Sequence, residues 1–237
     1  MMVDMYVPQH FAMSDQEIRR LLAATDVVDL VTSHAEGLQA TYLPVVYDPT
    51  YEDGHGSAPY GRLVAHAQRN NPQVRLPITG PALVIVHGTD HYVSPAVLPS
   101  TSEHGRVVPT WDYTTVHLRG TVRIHDDLQW CRGAVTRLTG RHEPAGDWTI
   151  TDPPGDYVDR MLRAVVGIEF LVTGWEGKAK MSQNRTPADL EALVAQRRAV
   201  GDEEGADYLE RVSLPAARSR ADLLRDVRTR RQPVPDV

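Results

Sequence analysis

The sequence predicts a mainly β protein of the α+β class, in which an antiparallel barrel carries peripheral helices. Strand patterns fill the first half of the chain, a helical stretch follows, one more strand comes next, and helices end the chain. This order lacks the regular alternation of strand and helix that marks a doubly wound parallel sheet. At 237 residues the chain can bury a substantial core, so one domain with appendages is expected.

The first predicted element is a short helix from about Ser14 to Ala24. Ser14 and Glu17 have the spacing of a capping box, and Ile18 and Leu22 follow at helical spacing. Three strands separated by turns that contain glycine or proline are predicted next, namely Val27–Thr32, Leu38–Tyr47 and Tyr60–Ala67.

Longer strand patterns follow in the middle of the chain. The apolar run Pro81–His87 is typical of a buried central strand. Val108–Gly120 is rich in β-branched and aromatic residues that alternate in character, which predicts a strand that continues to about Ile124. Gly167–Val172 predicts the last strand, and Trp175–Met181 is expected to form a second, hairpin-like arm.

Between these strands, a helical insert is predicted at about residues 126–166. Its first helix runs to about Leu138, with Gly140 just past the end. Its second helix is indicated by apolar residues at helical spacing over Tyr157–Val166.

Residues 186–237 are expected to form a C-terminal helical extension. Thr186 and Pro187 are an N-cap and first-turn pair, which predicts a helix that runs to Val200. The arginine-rich segment from Arg218 onward is compatible with a helix that is solvated or covers a subunit.

Composition and charge exclude several classes of protein. The net charge of −6 argues against a general nucleic-acid binder, which needs positive charge to release phosphate counterions. The lone cysteine, Cys131, cannot form an intramolecular disulfide, which fits a reducing cytoplasm. The first residues do not have the pattern of a signal peptide, and no apolar run approaches the roughly 20 residues that span a bilayer. We therefore expect a cytoplasmic protein with neither a nucleic-acid nor a membrane partner.

Four segments could carry chemistry, and the first is the strand Val108–Gly120. This strand carries several polar side chains that a purely structural strand does not need, namely those of Thr110, Asp112, Tyr113 and His117. Such a strand can line a pocket for a flat ligand. The alternative is an exposed polar face.

Two further strand ends carry polar side chains. His66 ends an apolar strand, and Arg69 offers a guanidinium near the following turn. A histidine in such a position can be a core residue, a general base or an axial ligand of haem iron. In His87–Pro95, Tyr92 and Ser94 place hydroxyl groups on one face of an extended segment.

The remaining cluster is the basic segment Glu176–Arg185. Lys178, Lys180 and Ser182 alternate on one side of a strand, and Arg185 follows. These side chains could hold a phosphate or a pair of carboxylates. A solvated hairpin is the alternative.

Taken together, these segments resemble the PaiB-like family of FMN-binding negative transcriptional regulators. The resemblance covers about residues 5–190, and its matching segments are Met5–Phe11, His66, Arg69–Pro72, Tyr92–Pro95, Val108–Tyr113, Val116–His117, Gly167–Glu169, Glu176–Lys178 and Ser182–Arg185. It implies a split β-barrel of the FMN-binding type over residues 1–185. It also implies a homodimer with cofactor sites at the subunit interface.

Two departures from the family pattern suggest a wider and more acidic cavity. The family usually has Ser-Pro-Ser-Trp-Tyr-Pro where this chain has Ser94–Pro99, and Asp112 replaces an asparagine after Trp111. The chain thereby resembles the haem-dependent piperazate synthases, a PaiB-like branch that uses haem b. These enzymes cyclise N5-hydroxy-L-ornithine to L-piperazic acid, with N–N bond formation and loss of water. An FMN-binding regulator or flavoprotein is the alternative, and a ligand-binding protein without catalysis is a third possibility.

The haem hypothesis assigns a role to each candidate residue. His66 would be the iron ligand, and a small amino acid would be the substrate. Because hydroxide is a poor leaving group, the reaction needs Lewis-acid or protonic help at oxygen. Tyr92, Asp112 or His117 would handle these protons. The residues expected to contact the cofactor, whether haem b or FMN, are His66, Arg69, Ser94, Thr110, Trp111, Lys178, Lys180, Ser182 and Arg185.

Overall fold

The computed structural model of the protein describes residues 5–52, 54 and 58–230, so the last seven residues of the predicted C-terminal extension lie outside the described chain. Its strands are β1 (Val27–His34), β2 (Gly37–Pro44), β3 (Val46–Asp48), β4 (Arg62–Gln68), β5 (Ala82–Val93), β6 (Thr110–His125) and β7 (Val165–Lys180). They form one sheet in the order β2-β1-β5-β6-β7-β4-β3.

The α-helices in the described chain are α1 (Asp15–Ala24), α2 (Pro72–Arg75), α3 (Pro99–His104), α4 (Leu128–His142), α5 (Gly155–Arg163), α6 (Pro187–Ala199), α7 (Glu203–Tyr208) and α8 (Leu214–Arg230). Short 3-10 helices cover Gln9–Phe11 and Pro95–Val97, and a π-helical turn covers Leu209–Ser213. None of the described helices combines the length and the apolar character needed to cross a bilayer.

The chain forms two compact units, and β5, β6 and β7 each run from one into the other. The first unit comprises Met5, Met13–His87 and Thr115–Gly177. The second unit comprises Tyr6–Ala12, Gly88–Thr114 and the described chain from Lys178 onward.

Antiparallel pairing organises the strands of the first unit. β1 and β2 form a hairpin in which Val27 lies opposite Pro44, and Gly37, which follows the two turn residues, has a φ of +123°. On its other side, β1 pairs with β5. β4 pairs with β3 and with β7, which places His66 opposite Gly167.

The core of the first unit lies between one face of the sheet and α1. Residues of β1 alternate between buried and partly exposed positions, as expected for a strand with one face on a core. Ile18 and Leu22 of α1 are buried on this face, and the predicted capping box of Ser14 and Glu17 forms at the start of the helix. Burying each such aliphatic side chain contributes about 1.5–3 kcal/mol.

Three sequence predictions are wrong. The predicted strand Leu38–Tyr47 is two strands, because β2 ends at Pro44 and pairs with β1, whereas β3 pairs with β4. Trp175–Met181 does not form a separate arm, because β7 is one continuous strand to Lys180. Gly174 and Gly177 lack the positive φ that a turn would use, so they do not interrupt the strand. Gly140 does not end its helix, because α4 continues through it to His142.

In the second unit, the buried side chains come mostly from helices. Thr186 caps α6 and Pro187 occupies its first turn, as predicted. Leu190, Leu193 and Leu209 are fully buried.

Substitution of Gly120 is expected to destabilise the first unit. A Cβ at this position would lie 2.0 Å from the carbonyl oxygen of Leu171 and 2.8 Å from the ring of Phe170. Because a backbone oxygen cannot rotate away, Gly120→Ala should force the strands apart and lower the free energy of unfolding by about 1–3 kcal/mol in urea denaturation.

Gly140→Ala is the matched control for this substitution. Gly140 has open space around it and lies inside a helix. Alanine should therefore raise stability there, by up to about 1 kcal/mol. Equal effects of the two substitutions would contradict the close approach of β6 to β7 at Gly120.

Candidate functional site

A cavity of about 270 Å³ in the second unit gathers most of its cationic candidate residues. We refer to it as the basic cavity. It lies at the end of β7, beside the start of β6 and the 3-10 helix Gln9–Phe11. The side chains that line it are His10, Phe11, Val108, Thr110, Asp112, Lys180, Ser182, Asn184 and Arg185. Lys180 and Arg185 outnumber the single carboxylate of Asp112, so the lining favours an anion.

The turn that follows β7 presents three of these side chains. Ser182 has a φ of +57°, an unusual conformation for a residue other than glycine. The amide of Arg185 donates to the carbonyl of Ser182 at 2.9 Å, which closes the turn. The Gln183 side chain accepts from the amide of Met181 at 2.9 Å and donates to the carbonyl of Ala179 at 2.6 Å. These bonds hold a strained turn in one conformation.

Both cations of the basic cavity keep donors for a ligand. The Lys180 ammonium donates to the Thr110 hydroxyl at 2.6 Å and to the carbonyl of Trp111. An ammonium has three donors, so one has no hydrogen-bond partner among the described residues. Within the described chain, the hydrogen bond of the Arg185 guanidinium goes to the carbonyl of Val108 at 3.2 Å, which leaves most of its five donors.

Asp112 forms the buried floor of the basic cavity. Its side chain is 1% exposed, and the Ser182 hydroxyl lies 2.9 Å from each of its carboxylate oxygens. The Arg197 guanidinium donates to it at 3.3 Å. Burial raises the pKa of this carboxyl, while the Ser182 hydrogen bond and the charge of Arg197 act in the opposite direction. Proton transfer by Asp112 remains a prediction.

Arg197 was not among the residues predicted from the sequence. Its side chain is fully buried, and it pairs with Asp202 at 2.7 Å in addition to Asp112. Its Nε atom is buried without a hydrogen-bond partner in the described chain. The sequence pattern could have indicated its burial, because Arg197 follows Leu190 and Leu193 at positions i+7 and i+4 on the apolar stripe of α6.

Two aromatic candidates lie near each other on the surface of the second unit. The rings of Tyr92 and Trp111 are 6.0 Å apart and about half exposed. The indole N–H of Trp111 donates to Asp90 at 3.0 Å. Ser94 accepts a hydrogen bond from the amide of Ala96 at 3.2 Å and thereby caps the following 3-10 helix.

Lys178 contacts aromatic rings rather than an acidic group. Its ammonium lies 5.6 Å from the ring centre of Tyr6 and 5.5 Å from that of Tyr113. Both distances are within the range of cation–π attraction. Through these contacts, Lys178 links Tyr6 of the N-terminal segment to Tyr113 of β6.

His66 and Arg69 belong to the first unit. The Nδ1 atom of His66 is buried without a hydrogen-bond partner in the described residues, and burial lowers the pKa of its imidazole. Arg69 donates to the carbonyls of Arg163 and Val165 at 3.0 and 3.2 Å and pairs with Asp126 at 2.6 Å. The Arg69 guanidinium thus contacts groups of the protein itself.

His117 lines a second cavity, of about 410 Å³, in the first unit. We refer to it as the His117 cavity. Arg119 and Glu176 form an ion pair at 3.2 Å in its lining. Burial lowers the pKa of His117, as do the nearby charges of His87 and Arg119, while Glu176 acts in the opposite direction.

The structure thus divides the predicted site residues between the two units. Those that converge on the basic cavity are Thr110, Asp112, Lys180, Ser182 and Arg185. Tyr92, Ser94, Trp111 and Lys178 belong to the same unit but do not line this cavity, whereas His66, Arg69 and His117 belong to the first unit.

Sequence comparison relates this chain to known proteins. The model of a protein family described as "Putative FMN-binding domain" matches residues 5–174. The protease synthase and sporulation protein PAI 2 of Bacillus subtilis is 24% identical over 229 residues, which are 94% of this chain and 97% of that protein. An uncharacterized protein of Emericella nidulans, AN0679, is 26% identical over 197 residues, covering 71% of this chain and 78% of the relative.

Among solved structures, the flavocytochrome Anf3 from Azotobacter vinelandii is similar with a TM-score of 0.52. The two chains are 14% identical over 73% of this chain and 72% of that one, a similarity that shows a common fold. The predicted split β-barrel of the FMN-binding type is confirmed. Since the family match covers most of the chain and the PAI 2 protein aligns over nearly all of it, this protein belongs to the PaiB-like family of FMN-binding-domain proteins.

Proposed function

We propose that the protein is a flavoprotein and that the basic cavity holds the phosphate end of FMN. The observation that carries the proposal is the convergence of Lys180, Arg185 and Ser182 on one cavity with a surplus of positive charge. Membership of a family named for FMN binding supports the same ligand. The proposal includes no contact with DNA, because the net charge of −6 is unfavourable for binding phosphate backbones.

The size of the basic cavity indicates which part of FMN it would accept. Sites that enclose a whole ligand of this size typically measure about 300–1,000 Å³. At about 270 Å³, the basic cavity suits the phosphate and the adjoining ribityl chain, with the isoalloxazine ring outside it. His10 and Phe11, whose rings are 4.0 Å apart, would give this end of the ligand an aromatic wall.

Each residue would act through its ordinary hydrogen-bonding chemistry. The Arg185 guanidinium can donate two parallel bonds to phosphate oxygens, and the Lys180 ammonium can donate another. Asp112 would hold the Ser182 hydroxyl and the turn in place. Bound FMN would supply electron and hydride transfer through its isoalloxazine ring.

Titration of the apoprotein with FMN and with riboflavin tests the proposal. Riboflavin lacks the phosphate, so it cannot use Lys180 and Arg185. A hydrogen bond to a charged group contributes about 1.5–3 kcal/mol. Because two such partners are lost, FMN should bind at least about 100-fold more tightly than riboflavin, as measured by quenching of flavin fluorescence. Equal affinities, or no saturable binding of FMN, would overturn the proposal.

The haem-dependent cyclisation of N5-hydroxy-L-ornithine remains a prediction, and the surroundings of His66 do not fit those of an iron ligand. A metal-bound histidine almost always donates its second ring N–H to a partner. With iron on Nε2, the buried Nδ1 of His66 would have no acceptor in the described residues. The visible spectrum of the purified protein separates the two cofactors, because haem gives a Soret band and FMN gives paired flavin bands.

A further inference from the structure

We propose that the His117 cavity is a second ligand site, for a small uncharged molecule with an apolar body and an amide-like group. This inference goes beyond FMN binding, because none of the residues involved lines the basic cavity. The ligand class follows from three properties of the cavity: its apolar walls, its balanced charges and an imidazole that has no hydrogen-bond partner among the described residues.

The walls of the His117 cavity are largely apolar. At about 410 Å³ it falls within the size range of small-molecule sites. Val31, Leu38 and Leu83 contribute aliphatic surface from β1, β2 and β5. Leu38 is 73% exposed, so a ligand in the cavity would remove apolar surface from water.

The charges at the polar end of the His117 cavity compensate each other. Arg119 pairs with Glu176 at 3.2 Å, and the backbone amide of Met5 donates to the same Glu176 oxygen at 2.9 Å. The two side chains are only about one quarter exposed. A ligand with a net charge would lose hydration and meet one like charge of this pair. An uncharged ligand avoids both costs.

The imidazole of His117 supplies the hydrogen bonds that would select an amide. The structure records no hydrogen-bond partner for it in the described residues, and its depressed pKa keeps it neutral at pH 7. A neutral imidazole has one donor and one acceptor nitrogen. An amide also has one of each and can satisfy either nitrogen, whereas a carboxylate only accepts and an ammonium only donates.

Three probes of similar shape and different charge test this inference. Benzamide is neutral, benzoate is negative and benzylamine is positive. We expect benzamide to bind saturably and at least about tenfold more tightly than the other two, followed at pH 7 by the NMR signals of the His117 ring. Tighter binding of benzoate or benzylamine, equal binding of all three, or no saturable binding of benzamide would overturn the inference.

Substitutions locate the binding. His117→Phe keeps a planar ring but removes both nitrogens, so benzamide affinity, measured by calorimetry, should fall at least about tenfold. His142→Phe is the matched control, because His142 is exposed on α4 and does not line the cavity, and it should retain binding. Leu38→Asp changes an exposed side chain and should also abolish binding. If His117→Phe does not fold, Leu38→Asp tests the site in its place. Unchanged benzamide affinity in Leu38→Asp would refute the site. Failure of FMN titration would leave these results intact, so the two proposals fail separately.

Discussion

Replacement of Arg197 with alanine is expected to lower the free energy of unfolding by about 3–5 kcal/mol, because it leaves a buried carboxylate without its cation. Arg197 is fully buried and contacts Asp112, whose side chain is 1% exposed, and Asp202. The measurement is urea denaturation at constant pH. Arg198→Ala is the control, since Arg198 is 46% exposed and pairs with Glu210. An exposed ion pair contributes at most about 1 kcal/mol to stability, so Arg198→Ala should lower the free energy of unfolding by no more than this.

The loss of stability in Arg197→Ala should also depend on pH. Burial already raises the pKa of Asp112, and removal of the Arg197 charge should raise it further. A carboxyl whose pKa is higher in the folded state contributes stability below its unfolded pKa, and this contribution is lost as the pH rises through the folded pKa. The difference in the free energy of unfolding between Arg197→Ala and the wild type should therefore be smaller at pH 5 than at pH 8. A loss similar to that of Arg198→Ala at both pH values would contradict the buried network.

Removal of both cations from the basic cavity should have the largest effect on ligand binding. In the double variant Lys180→Ala and Arg185→Ala, the phosphate of FMN would lose its charged donors. At about 1.5–3 kcal/mol for each charged partner, the FMN affinity should fall at least about 100-fold. The affinity for riboflavin should change little, because riboflavin has no phosphate.

Comparison of the two flavins separates a direct contact from a general structural defect. A defect of folding would weaken FMN and riboflavin alike. Arg218→Ala is the matched control, because Arg218 is 59% exposed and pairs with Glu191 outside the cavity. A double variant that keeps the preference for FMN over riboflavin would show that Lys180 and Arg185 do not hold the phosphate.

Local signals in the sequence predicted several elements well. The capping box of Ser14 and Glu17, and the Thr186–Pro187 start of α6, depend on hydrogen bonds and backbone preferences within one turn. Glycines were less informative, since Gly140 lies inside a helix and Gly177 inside a strand. The conformation of a glycine is set by what surrounds it, which a sequence window does not contain.

The candidate site was only partly predictable. Lys180, Ser182 and Arg185 were identified because they are close together in the sequence and share a chemistry. Arg197 was not, because its partner Asp112 is 85 residues away in the chain. Contact of Ser94 and Arg69 with a cofactor remains a prediction, because in the described chain Ser94 accepts from the amide of Ala96 and Arg69 contacts two backbone carbonyls and Asp126. A polar residue type does not reveal whether its hydrogen bonds are already satisfied.

The family, the α+β class and the basic segment after the last strand could be predicted from the sequence, because they depend on residue types in a fixed order. Which of those residues converge on one cavity became clear from the folded chain. The structure also showed that Asp112 is neutralised by a buried arginine, and that His117 lies in a different unit with an ion pair beside it. These outcomes depend on burial and on pairing between distant segments, since both the desolvation of a charge and the presence of its partner arise only when the chain is folded.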